Sequence, residues 1–120
     1  EQRVWAWAVP PTSTTVTCTL ANYATSCVGA AQDVGVLPTG NGKWGHTDLS
    51  GNVGEWTLDV FLSPYSIVPC VDCANLSGGT ARARRGGSHG GSTSYVNGYR
   101  TSYPPTTLNQ YVGVRCARAP

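Results

Sequence analysis

Hydrophobic residues along the chain come in short bursts separated by turn formers, and each burst has its own pattern. Residues 1–10 alternate around Val4, Trp5 and Trp7 and stop at Pro10-Pro11. Residues 12–20 are β-branched and strand-compatible, although their polarity equally suits an exposed loop. Residues 21–43 carry scattered Gly and Pro and read as loop. Residues 44–60 open with a turn and end in an alternating strand, Glu55 to Val60. Residues 62–80 are a long excursion, and residues 81–88 hold a short strand running into Arg85-Gly86-Gly87-Ser88. A Gly/Ser/Tyr/Asn loop follows over 89–97, then a strand from Tyr99 to Tyr103. Pro104-Pro105 opens a further loop, and Tyr111 to Ala117 forms a last strand. There is no internal repeat, and no apolar run approaches the roughly 18 residues of a membrane helix.

Composition narrows this to one loop-rich domain. The 120 residues include 15 Gly and 8 Pro, Lys occurs once and Met never, so long helices are improbable. Four Trp and six Tyr supply a core and argue against disorder. A net charge of +2, with 12% charged residues, is too weak a balance for nucleic acid or a polybasic membrane contact. The start at Glu1-Gln2-Arg3, without Met, reads as a cut inside a longer protein, so targeting information is lost.

Five cysteines point to an oxidising compartment, hence a secreted or cell-surface protein. Only Cys70-Val71-Asp72-Cys73 has zinc-ligand spacing, and no second such pair follows, which favours disulfides over zinc. Cys18 and Cys27 flank a short polar loop and can pair, and Cys70 and Cys73 can form a tight local bridge. Cys116 is left over, and an odd cysteine suggests a partner elsewhere.

Arginines gather late, at 82, 84, 85, 100, 115 and 118, with no acid after Asp72. They form either an anion-binding surface or, the preferred reading, pairs with acids and carbonyls of earlier segments. Ser88-His89 lacks the surroundings of a hydrolase nucleophile, and Asn75-Leu76-Ser77 is a glycosylation sequon by pattern alone.

The most informative stretch is 48–55. Asp48 and Glu55 flank the turn formers Ser50, Gly51, Asn52 and Gly54. A tight bend there can turn both carboxylates inward beside the Gly51 and Val53 carbonyls, a donor set suited to calcium. The alternative is a plain turn and strand, with Glu55 paired to an arginine.

Three blocks occur in order: Gly45-His46-Thr47-Asp48-Leu49-Ser50-Gly51-Asn52-Val53-Gly54-Glu55-Trp56-Thr57-Leu58-Asp59, then Arg85-Gly86-Gly87-Ser88, then Gly113-Val114-Arg115-Cys116. They resemble the signature blocks of the formylglycine-generating enzyme, or sulfatase-modifying factor, family. The resemblance covers residues 1–120 and corresponds to about the C-terminal half of a family domain. It implies an α+β fold of the C-type-lectin-like kind, with short antiparallel strands, long loops and little regular secondary structure. It assigns the family's second calcium site to Asp48, Glu55 and the carbonyls of Gly51 and Val53. Asn22 and the Tyr23 carbonyl match the start of the first site, with Asp33 as a substitute for its acid. Cys116 falls where disulfide-containing members pair with their N-terminal half, so the implied partner is that half or another chain.

The family's catalytic chemistry does not carry over. Formylglycine-generating enzymes hold copper(I) on two cysteines after the Gly-Gly-Ser block, and this chain has no cysteine between Cys73 and Cys116. In this fold the 88–111 region lines the ligand groove, and Tyr95, Asn97, Tyr99, Arg100 and Tyr103 make an adaptable amphipathic set. The expectation is a bacterial pseudoenzyme: a calcium-stabilised extracellular binding or structural module for a peptide, glycan or protein. The competing expectation is an oxidoreductase or protein-modifying enzyme with its catalytic groups outside this chain.

Overall fold

The alternation expected at Glu55–Val60 becomes a strand one residue longer, β1, Gly54–Val60. It is the second-to-edge strand of the sheet in a computed structural model that describes residues 2–64, 74–91 and 98–116. β2 is Arg82–Arg85, β3 is Thr101–Tyr103 and β4 is Val112–Gly113. The spatial order is β3-β2-β1-β4. β1 runs antiparallel to β2, with Glu55 opposite Arg85, Trp56 opposite Arg84 and Val60 opposite Arg82, and the register shifts between Trp56 and Val60. β3 continues antiparallel beside β2, while β4 lies parallel to the start of β1.

Two expected strands are shorter in the structure. β3 starts at Thr101 rather than Tyr99, because only Thr101 to Tyr103 find partners in Arg84 to Arg82. The last strand ends at Gly113 instead of running on toward Ala117. It meets β1 only at Gly54 and Glu55, and the Arg115 side chain then reaches across to Glu55 and Thr47.

Residues 12–20 take the loop alternative. Their carbonyls are used by indoles rather than by a neighbouring strand: Trp5 Nε1 donates to Thr14 O at 3.3 Å and Trp7 Nε1 to Thr15 O at 3.2 Å. The two indoles stack, with centroids 5.3 Å apart and planes 4° from parallel. A bridge between Cys18 and Cys27 closes the next loop, as their spacing suggested. Among the described residues the helical content is one 3-10 turn, Pro38–Gly40, and no helix is long and apolar enough to cross a membrane.

The core is small and mixed. Trp5, Ala6, Ala8, Ala21, Val60 and Ala83 are buried, and so are Asn22, Ser50, Asn52, Asn75, Arg84, Ser88 and His89. A loop-rich chain must satisfy many backbone groups without ladders, and buried side-chain amides perform that task. Asn75 shows it: its N–H donates to Asp59 Oδ1 and its Nδ2 to Val60 O, while its carbonyl accepts from Val60 N. With that amide buried and committed, the sequon pattern does not present a glycan acceptor. Trp44 departs from the core role expected of tryptophans. It lies in the turn closed by Gly42 N to His46 O and is 79% exposed.

The late arginines mostly behave as structural ties. Arg82 donates to Leu58 O, Arg84 to Tyr111 O and Arg100 to Leu62 O. Arg84 is buried, its guanidinium 5.2 Å from the centre of the Tyr103 ring.

Candidate functional site

The turn between Asp48 and Glu55 is held in an unusual backbone path. Asp48, Gly51 and Asn52 all have positive φ, at 52°, 88° and 58°. Asn and Asp tolerate this region better than other residues with a Cβ, and glycine tolerates it best. The path brings two distant segments, around Asn22 and over 86–89, onto the turn. Gly51 N donates to Gly86 O at 2.6 Å, Asn52 N to Asn22 O at 2.7 Å, and His89 N to Asn52 O at 2.8 Å. The Asn52 carboxamide then clasps the Gln32 backbone in both directions, accepting from Gln32 N at 2.9 Å and donating to Gln32 O at 3.0 Å.

Asn22 therefore lies directly under the turn. It is 2% exposed, and its Nδ2 donates to Ala30 O at 2.7 Å. Its Oδ1 is buried and has no hydrogen-bond partner, and the same holds for Gln32 Oε1. Leaving a buried acceptor unmatched costs about 1–3 kcal/mol, so such an oxygen marks a place where a donor or cation fits. Tyr23 is half-buried beside it, whereas Asp33 is exposed.

Asp48 and Glu55 have separate partners. Asp48 Oδ2 accepts from Gly35 N at 2.7 Å. Both Glu55 oxygens accept from Arg115 Nε, at 2.8 and 3.0 Å, and Arg115 Nη2 is 2.6 Å from Glu55 Oε1. Arg115 Nη2 also donates to Thr47 O at 2.8 Å. The hydrogen bond to Glu55 raises the Arg115 pKa above its ordinary value; burial opposes this, and the charges of Glu55 and Asp48 add to it. One guanidinium thus answers the negative charge at both ends of the turn. With Glu55 22% and Arg115 34% exposed, screening limits the pair to about 1 kcal/mol.

As calcium donors, these groups fit in kind. Asn22 Oδ1 is an oxygen lacking a donor, and Asp48 is a carboxylate with one oxygen on a backbone N–H. At the expected second site, Glu55 can donate an oxygen only by sharing or releasing Arg115.

Of the expected ligand surface, Tyr95 and Asn97 lie outside the described residues, as do Cys70 and Cys73. Tyr99 is 37% exposed. The Arg100 guanidinium is 5.3 Å from the Phe61 ring centre, and Tyr103 meets Trp56 edge-on with centroids 6.5 Å apart. Cys116 is exposed, with a free thiol.

Sequence spacing did not reveal a cavity of about 460 Å³ beside β1. Trp44 and Trp56 wall it, and Arg3, Lys43, Arg85 and Arg115 reach it from four separate parts of the chain. No motif links residues so far apart in sequence.

Residues 3–120 match the family described as sulfatase-modifying factor enzyme 1-like domain. The formylglycine-generating enzyme of Streptomyces coelicolor is 41% identical in an alignment 86 residues long that covers 67% of this chain and 26% of that enzyme. Two solved structures share the fold. Treponema denticola variable protein 1 superposes with a TM-score of 0.64 at 25% identity, over 80% of this chain and 34% of its own. PvdO from Pseudomonas aeruginosa reaches 0.74 at 21% identity, over 86% of this chain and 40% of its own. The chain spans about a quarter of the curated relative it matches and under half of each structural neighbour.

Proposed function

The chain belongs to the sulfatase-modifying factor enzyme 1-like family, and on that premise we propose that it is a non-catalytic, calcium-stabilised extracellular module, C-type-lectin-like in subtype, which binds or scaffolds. The observation that carries the non-catalytic reading is the cysteine-free run from Asp72's neighbour Cys73 to Cys116. Soft copper(I) requires thiolate or thioether ligands, and this run offers no sulfur where the resemblance puts the metal.

The second calcium site is supported by the acids at the two ends of the Gly51–Asn52 turn, and the first by the unmatched Asn22 Oδ1 beneath that turn. Bound calcium would supply structural cross-linking at each of them. The Cys18–Cys27 bridge supports an oxidising, extracellular location. One observation favours the enzymatic alternative: the 41% identical relative is named as a formylglycine-generating enzyme. Under that reading the catalytic groups lie outside these 120 residues.

Thermal melts with calcium and with excess chelator test the proposal, together with calcium stoichiometry by atomic emission. The wild-type chain should melt lower in chelator, and Glu55→Ala should lose that response. A chelator-insensitive chain without bound calcium refutes the calcium reading. Conversion of a peptide cysteine to formylglycine by the chain with copper refutes the non-catalytic one.

A further inference from the structure

We infer that the cavity beside β1 is a binding site for a small aromatic carboxylate. The inference goes beyond the proposed calcium-stabilised role and does not rest on it.

The charge of the cavity is the first argument. Among the described residues Arg3, Lys43, Arg85 and Arg115 line it, and Glu55 is its one carboxylate. These described side chains sum to three formal positive charges. Both Glu55 oxygens are already engaged by Arg115. Arg85 stands directly opposite Glu55 in the β1–β2 register, the position from which an arginine ordinarily meets a carboxylate across a sheet. Because Glu55 turns to Arg115 instead, no ion pair or side-chain hydrogen bond holds the Arg85 guanidinium among the described residues. An exposed guanidinium fork at the lip of a cavity matches a planar carboxylate in bidentate fashion.

The second argument is shape and surface. A volume of about 460 Å³ is that of a small-molecule pocket. Its walls include the indoles of Trp44 and Trp56 and the side chains of Ala6 and Leu49. Trp44 is 79% exposed, with the Lys43 ammonium 5.4 Å from its ring centre. An aromatic side chain presented this way offers a flat stacking face beside a cation. A flat apolar body with one carboxylate satisfies both features, whereas a polyanion would leave the indoles uncovered and a cation would be repelled.

Three naphthalene probes of one shape test this by isothermal titration against the 120-residue chain: 2-naphthoate, 2-naphthalenemethanol and 2-naphthylmethylammonium. Naphthoate should bind at least tenfold tighter than the alcohol, a difference of about 1.4 kcal/mol, and the ammonium should show no saturable binding. Arg85→Gln should bring naphthoate down to the affinity of the alcohol. Trp44→Ala should weaken naphthoate and alcohol by the same factor. Equal binding of all three probes, no naphthoate binding, or an unchanged naphthoate preference in Arg85→Gln each overturns the inference. A melting temperature of Arg85→Gln within 2 °C of wild type, as its lack of partners implies, confirms that lost binding reflects the site.

Discussion

Gly51→Ala is the most direct perturbation of the turn that underlies the candidate site. The residue has φ of +88°, and a Cβ placed there would lie 2.7 Å from Asn22 O, 3.0 Å from Asn22 C and 3.3 Å from Asn22 N. Those are backbone atoms and cannot swing aside as a flexible side chain would. The left-handed conformation alone costs a residue with a Cβ about 1 kcal/mol. Overpacking adds about 1–3 kcal/mol. Pushing Asn22 away also lengthens the 2.7 Å bond from Asn52 N to Asn22 O, worth about 1 kcal/mol net. The total is roughly 3–5 kcal/mol, a large share of the 5–15 kcal/mol typical of a domain. The melting temperature should fall by about 10–15 °C. Gly45→Ala is the matched control: its φ is +79°, but nothing lies within 4 Å of the added methyl. It should cost about 1 kcal/mol and roughly 3 °C. Urea unfolding followed by tryptophan fluorescence gives both midpoints, with unchanged m-values confirming that the folded state is being compared. Should the two variants unfold at the same urea concentration, the Asn22 backbone is not packed against the turn and the reasoning fails.

Two other perturbations probe the scaffold. Converting Cys18 and Cys27 to serine opens a loop with sequence separation 9 and should cost about 2.5–3 kcal/mol by loop entropy, read as a lower urea midpoint; an unchanged midpoint refutes that role. Non-reducing mass spectrometry of native material should show the same bridge and report whether exposed Cys116 carries a second peptide, with a free thiol counting against a disulfide-linked partner. Arg84 is buried with its Nε unmatched and a single long bond, 3.3 Å, to Tyr111 O. Arg84→Met, unbranched and apolar and filling the stem of the arginine site, should therefore stay within about 1 kcal/mol of wild type, while Arg84→Ala should lose about 3 kcal/mol to the cavity it leaves. A loss above 2 kcal/mol for the Met variant shows that the charge itself is stabilising.

What sequence pattern reveals in this chain is local. β1 was legible because polar Glu55, Thr57 and Asp59 alternate with Trp56, Leu58 and Val60. Even so, the apolar face is covered unevenly: Val60 is buried, Trp56 half-buried and Leu58 68% exposed. The register shift between Trp56 and Val60 and the shortness of β2 explain that unevenness, and neither is encoded in alternation. Residues 12–20 have the side chains of a strand, yet their fate is decided by two indoles from the preceding turn. β-branching reports a preference for a pleated surface, and it cannot supply the neighbouring strand that such a surface needs.

The candidate site shows the same division between local and distant information. The positive φ values at Asp48, Gly51 and Asn52 follow from an Asp, Gly and Asn run that any turn argument would identify. Where the two acids direct their charge depends on residues far along the chain. Arg115 arrives 60 residues after Glu55 and 68 after Thr47, carried there because β4 lies parallel to the start of β1. That single arrival sets two properties at once. It neutralises Glu55, so the proposed calcium would have to compete with or share a guanidinium at that end of the turn. It also releases Arg85 from its cross-strand partner, so the cavity keeps an unmatched cation. If the proposed calcium and carboxylate sites both hold, their affinities would be linked through one carboxylate. On those two proposals, a ligand drawing Arg115 toward its own negative charge would free Glu55 for a cation, and a cation capturing Glu55 would leave Arg115 to the anion.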